Sequence, residues 1–354
     1  MIRVRCLRAC NLLTLAGYTV LTLVMTYPLA LNFNTAIPGD GFDGWQNYWN
    51  LWWVKVALVD KGANPFFTDY LYYPTGVSLY FHTLNIFNGL VTLPVQLLFG
   101  LTNAYNSVVL FSFVIGGYGA YLLVLYLLDG RMEGWKAGRL ASNLPGFHAS
   151  CLAAFVAGLV YTFSPFHFAH LLGHMQVISL EWLPFYVLFL LKAVEQSRVV
   201  TTSVVKGVKA QGLRIRYIWK PALFLILTAL CDWYYVLYAL IFTVLYLGYL
   251  GWVRDVERLK KALTVSVGVG LIFVVVLSPL LGPMVWEAST SDYMIPDQEH
   301  VLLLSADLLA FVTPNEMHPL WGELARIWSE RFISPTSERM VFAGYVPLML
   351  AAFG

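Results

Sequence analysis

The sequence predicts an all-α polytopic membrane protein with about eight transmembrane helices and juxtamembrane helices in a long first extracytoplasmic loop. Three observations predict it. Of the 354 residues, 59% are hydrophobic and only 12% are charged, against roughly 25% charged in soluble domains. Apolar runs long enough to cross a bilayer recur along the chain. The basic residues fall between those runs in a consistent alternation.

The first run, 11–31, follows Arg3, Arg5 and Arg8. It is long for the core of a secretory signal and has no clean small-x-small cleavage site, so it reads as a retained first span. Further runs cover 84–100, 105–128, 148–164, 177–194, 218–231, 234–253, 262–281 and 340–354. The positive-inside rule identifies 84–100 as the one that does not cross. With that choice all Lys and Arg except Lys55, Lys61, Arg326, Arg331 and Arg339 join the N-terminus on the cytoplasmic side. If 84–100 crossed, every later connector would flip. Asn85, Asn88, Gly89 and Pro94 also suit a re-entrant or juxtamembrane segment better than a span. The chain then reads as a single membrane domain over 1–354: a first span at 11–31, an extracytoplasmic loop at 32–104, a six-span bundle at 105–281, a second extracytoplasmic loop at 282–339, and a last span at 340–354 that suggests a truncated chain. The expected location is the plasma (inner) membrane, with the N-terminus cytoplasmic.

This topology places every Asp and Glu outside except Asp129, Glu133, Glu195, Asp255 and Glu257, and every His except His148. Such a face is expected to hold something polar or cationic; an ordinary solvated surface is the plainer alternative. Cys6, Cys10, Cys151 and Cys231 match no disulfide or metal spacing and read as small packing residues. Palmitoylation of Cys6 or Cys10 is the alternative. Nothing in the charge pattern calls for nucleic acid.

Chemistry concentrates in Gly39-Asp40-Gly41-Phe42-Asp43-Gly44. After it, Trp45, Tyr48, Trp49, Trp52, Trp53 and Val56 recur at helical spacing. The expectation is a helix lying flat at the headgroup boundary, with Gln46, Asn47, Asn50 and Lys55 pointing elsewhere. Asp43 is expected at its N-cap, where the free N–H groups and the helix dipole favour a negative charge. A cap at a cleft mouth can also be a general base. Asp40, flanked by glycines, is the alternate, and the two aspartates could share a divalent cation, Mg or Mn, with a phosphate. Asp69 reads as a turn former.

Between the third and fourth spans stand His167, His170 and His174, one face if helical. Three such His can bind a transition metal, but no H-E-x-x-H motif accompanies them. The preferred reading has His174 and Gln176 facing Asp43 and bonding phosphate or sugar hydroxyls, with His170 beside them; the alternative is interfacial His reaching for water. Asp232 on a tight turn, Glu287 and Arg326 are further candidates for the same cavity, an arginine being suited to phosphate.

In this order the features resemble the GT-C superfamily of membrane glycosyltransferases. Asp43…Trp49-Asn50-Leu51-Trp52-Trp53, Asn64-Pro65-Phe66, Tyr73-Pro74-Thr75-Gly76 and Gly173-His174-Met175-Gln176 are similar to a poorly characterised bacterial and archaeal branch. The resemblance implies sugar transfer from a polyprenyl-phosphate donor to a glycan, lipid or protein acceptor at the bilayer surface. It also implies that Asp43, or Asp40, activates the acceptor. The second acidic pair of some members is replaced here by the three His. A transporter or flippase of a lipid-linked or amphipathic solute is the alternative; it needs polar groups at mid-membrane depth. A non-catalytic scaffold is the third reading.

Overall fold

The structure is a computed structural model that describes residues 2–39, 42–136, 145–196, 215–295, 297–316, 318 and 320–353. Asp40 lies outside the described residues. The protein is an all-α membrane bundle. Helix α1 (Ile2–Met25) is followed by α2 (Phe42–Lys55), α3 (Ile86–Val91) and α4 (Leu93–Phe99). The long helices are α5 (Leu101–Lys136), α6 (Pro145–Thr162), α9 (Trp182–Gln196), α10 (Ile215–Cys231), α11 (Trp233–Trp252) and α12 (Val256–Thr290). Two short helices, α7 (Pro165–Leu171) and α8 (Met175–Ile178), join α6 to α9. Four more short helices follow α12: α13 (Gln298–Leu303), α14 (Gly322–Ser329), α15 (Thr336–Arg339) and α16 (Tyr345–Phe353).

Among the described residues, four helical stretches are long and apolar enough to cross a membrane: Leu101–Leu128, Met175–Gln196, Trp233–Trp252 and Val256–Thr290. They become five if α6 and α7, which meet at a 42° bend, count as one. Leu240, Ile241, Val244 and Leu245 on α11 and Leu271, Val274 and Val275 on α12 are exposed. Such contiguous apolar faces suit lipid and not water.

Two of the four buried clusters lie along the long helices. Tyr18 of α1 is buried against Tyr121, Leu125 and Ala154 of α5 and α6. Helices α9 to α12 pack around Leu190, Ala222, Ala239 and Val265. Residues 84–100 form two short helices meeting at Thr92, neither of which approaches the roughly 20 residues a span needs. Asn85 caps α3 in a left-handed conformation, its side chain accepting from the Asn88 N–H.

The surroundings of α2 correct the expectation of a helix lying on the bilayer. Trp53 is 1% exposed, and of the four tryptophans of α2 only Trp45, at 60%, stands free. Leu51, Val54, Asn47 and Asn50 are buried as well. Trp53 stacks on Trp49 at 5.8 Å and donates its indole N–H to the Pro65 carbonyl at 2.9 Å. A helix covered on most of its circumference belongs to a core. The cover is the segment 60–84, pinned by a two-residue antiparallel pairing of β1 (Phe67–Thr68) with β2 (Val77–Ser78), Phe67 opposite Ser78. Asp69 pairs there with Lys61 at 3.3 Å.

Candidate functional site

The Gly-rich segment before α2 and the turn after α7 meet backbone to backbone. Gly39 has φ +118°, and a Cβ there would lie 2.2 Å from the Leu172 carbonyl oxygen. A Cβ at Gly173 would lie 2.9 Å from the Gly44 nitrogen. Only glycine permits this approach. Asn47, one turn into α2, locks the contact by donating to the Gly173 carbonyl at 2.7 Å.

This close packing brings Asp43 to His174. Asp43 lies in the first turn of α2, not at its cap. Its Oδ2 is 2.7 Å from His174 Nε2, across 131 residues of sequence. The Asp43 side chain is 44% exposed and that of His174 25%, so the pair is open on one side. Behind it, His174 Nδ1 is 2.8 Å from His170 Nδ1. One proton must occupy that nitrogen–nitrogen contact. If His174 donates Nε2–H to the carboxylate and is neutral, its Nδ1 is bare and accepts from His170 Nδ1–H. His170 Nε2 is then the bare atom, and it is buried with no partner. The arrangement is a line: His170 donating to His174, His174 donating to Asp43.

Local structure explains the line. Ser164 caps α7 by accepting from the His167 N–H, and Pro165 follows at the first helical position. Helix α7 ends at Leu171, and the turn through Gly173 puts His174 at the N-cap position of α8. His174 thus folds back over His170 and does not continue the α7 face. His167 is apart from both. It is buried, stacked on Phe113 at 3.9 Å, with Nδ1 2.7 Å from the Thr162 carbonyl. The three-His face expected for a transition metal is therefore not assembled. Helix α15 packs against α7 from outside.

The other candidates are placed as follows. His170 is buried and backs the pair without lining it. Gln176 is half-buried on α8, its Oε1 without a partner. Asp232 caps α11, accepting from the Tyr234 N–H at 2.7 Å. Burial pushes its carboxyl up to about 6. Glu287 accepts from Ser78 and Tyr293, each at 2.8 Å, and ties α12 to β2. Arg326 is exposed on α14. Arg339 pairs with Glu316 at 3.3 Å and donates to the Ser329 carbonyl.

Among the described residues no three His, Cys, Asp or Glu side chains converge as a metal site would need. Asp43 brings one carboxylate, half of it committed to His174.

Sequence reasoning missed two participants, the buried Asn50 and the half-buried His82. Asn50 donates to the Thr83 carbonyl at 2.8 Å, so its Oδ1 accepts, and His82 Nε2 at 2.9 Å must be the donor. Burial holds His82 below the usual histidine range. This pair fixes the cover segment to α2 one turn beyond Asn47.

Compared with known protein families, curated proteins and solved structures, the chain matches none.

Proposed function

We propose that the protein is a membrane glycosyltransferase that moves a sugar from a polyprenyl-phosphate donor to an acceptor at the extracytoplasmic surface of the plasma membrane, with Asp43 as general base. The observation that carries this reading is the 2.7 Å contact between Asp43 and His174 at the meeting of two loops on a membrane bundle. A carboxylate with one oxygen held by an imidazole N–H and, among the described residues, no hydrogen bond to the other is arranged to take a proton from a hydroxyl.

The step balances as follows. The acceptor O–H gives its proton to the free Asp43 oxygen. The acceptor oxygen attacks the anomeric carbon, the bond from that carbon to the phosphate oxygen breaks, and the lipid phosphate leaves with the electron pair. The product has inverted configuration. Asp43 returns the proton to water. His174 fixes the carboxylate's orientation, and His170 fixes the tautomer of His174. Gln176 and Arg326 are proposed to contact sugar hydroxyls or phosphate. Asp40, Asp232 and Glu287 are given no step.

The test is transfer of labelled sugar from a polyprenyl-phosphate donor by membranes holding the full chain. Asp43→Asn keeps the shape and removes the base; a loss of roughly 10²–10⁴-fold is expected. Transfer at the wild-type rate by Asp43→Asn would refute the role.

One observation favours the transporter reading: the stretch Met175–Gln196 is interrupted at 179–181, and the interruption holds the buried Glu181. Broken spans with an interior acid suit ion-coupled transport. Solute flux across vesicles without turnover of the lipid-linked sugar would select it.

A further inference from the structure

Between α8 and α9 the helix opens at Ser179, Leu180 and Glu181. An opened helix leaves carbonyls without their usual donors. Here side chains from several elements take them. The Met175 carbonyl accepts from Ser179 and Asn85, and the Val177 carbonyl from the Tyr235 hydroxyl. The Ile178 carbonyl accepts from Ser112, and the Leu180 carbonyl from Tyr161 at 2.9 Å. The break is a built feature, held from α5, α6 and α11 at once.

Glu181 sits in the middle of it, 0% exposed, and among the described residues neither carboxyl oxygen has a partner of good geometry, its own N–H and the Ser112 hydroxyl being the nearby donors. Ser112 lies alongside, but its one proton goes to Ile178. The Tyr161 and Tyr235 protons are likewise directed to carbonyls. The titratable groups around Glu181 are Tyr161 on α6, Cys231 on α10 and Tyr235 on α11, with Asp232 at the α10–α11 turn beyond Cys231 and Tyr235. His167 of α7 stands behind Ser112, with both ring nitrogens facing carbonyls. None of these groups is a lysine or arginine. The Ser112, Tyr161 and Tyr235 hydroxyls beside the carboxyl thus already donate to carbonyls, and among the described residues no lysine or arginine stands by to balance a charge.

We propose that Glu181 is a proton-binding site inside the bundle: it carries a proton when the break is packed as seen, and losing that proton requires the break to rearrange. A proton suits the site better than a metal ion because it needs no additional space and only one carboxyl group. The site stands whether the protein transfers a sugar or carries a solute, since it does not involve Asp43.

The experiment is infrared spectroscopy of the full chain in nanodiscs across pH, comparing wild type with Glu181→Gln and Asp232→Asn. The wild type is expected to show the carbonyl-stretch band of a protonated carboxylic acid near neutral pH. The band should shift in D2O, survive Asp232→Asn and vanish in Glu181→Gln. If Glu181→Gln fails to fold, Glu181→Asp replaces it, and the band should move in frequency. Two results would overturn the proposal. One is a band absent near neutral pH or unaffected by changes at 181. The other is stabilisation of the wild type by sodium chloride over choline chloride that is lost in Glu181→Gln, which would make the ligand a cation.

Discussion

His174 Nε2 lies 2.7 Å from Asp43 Oδ2 although the two residues stand 131 positions apart in the chain. His174 supplies a charge-assisted hydrogen bond of about 1.5–3 kcal/mol. If that bond orients the base in the transition state, His174→Ala should slow transfer about 10–100-fold. His174→Gln, which can still donate an N–H, should recover part of the loss. Equal rates for Ala and Gln would show that the hydrogen bond is not what matters. The readout is initial transfer rate at saturating donor.

A second prediction concerns the glycines that let the loops touch. Gly39→Ala puts a Cβ into the Leu172 carbonyl at a backbone angle that L residues rarely adopt, a strain on the order of 1–3 kcal/mol. Gly173→Ala pushes against the Gly44 nitrogen. Both should lower the thermal midpoint in detergent and reduce transfer. Gly62→Ala is the control for positive φ without crowding, since nothing lies within 4 Å of it; it should disturb activity least.

Asn50→Leu should destabilise the fold. It strands the Thr83 carbonyl and the His82 N–H; a fully buried group left without a partner costs about 1–3 kcal/mol, and these half-buried ones cost less. The expected result is earlier proteolysis within 60–84 and a lower thermal midpoint.

The pH dependence of stability should carry two opposing contributions. Asp232 binds its proton more tightly folded than unfolded, its value rising from 3.8 to about 6. In that window the folded state holds more protons, so stability falls as pH rises, by at most about 3 kcal/mol at 1.36 kcal/mol per unit. Asp232→Asn keeps a cap acceptor and should remove this fall. His82 behaves oppositely: burial lowers its folded value, so the unfolded chain takes up more protons in acid. Stability should drop as pH decreases below the ordinary histidine value of about 6.5, and His82→Gln should remove that drop. Thermal midpoints across pH 4–8 for the two variants check both signs.

Much of this was legible in the chain, and the failures have physical causes. Runs of apolar residues marked the long helices because lipid demands them. The Gly-Asp-Gly-Phe-Asp-Gly segment and the His174–Gln176 turn stood out because their residue types are out of place among such runs. The contact of His170 with His174 was not legible. Continuous helical spacing put all three His on one face, whereas α7 stops at Leu171 and the turn at Gly173 sends His174 back. The burial of α2 was hidden by Asn47 and Asn50. Their polarity suggested a wet face, but loop carbonyls far along the chain satisfy them. The break at Glu181 was masked because 177–194 is apolar on both sides of a single acid.

Because Gly39 abuts Leu172 and Gly173 abuts Gly44 through their main chains, the spacing between base and imidazole is set by loop length as well as by side-chain choice. A one-residue insertion in either segment would slide one half of the pair past the other with no slack to absorb it. Connectors that usually tolerate indels are here held to a fixed count, as the register of a zip fastener is held by its first engaged tooth.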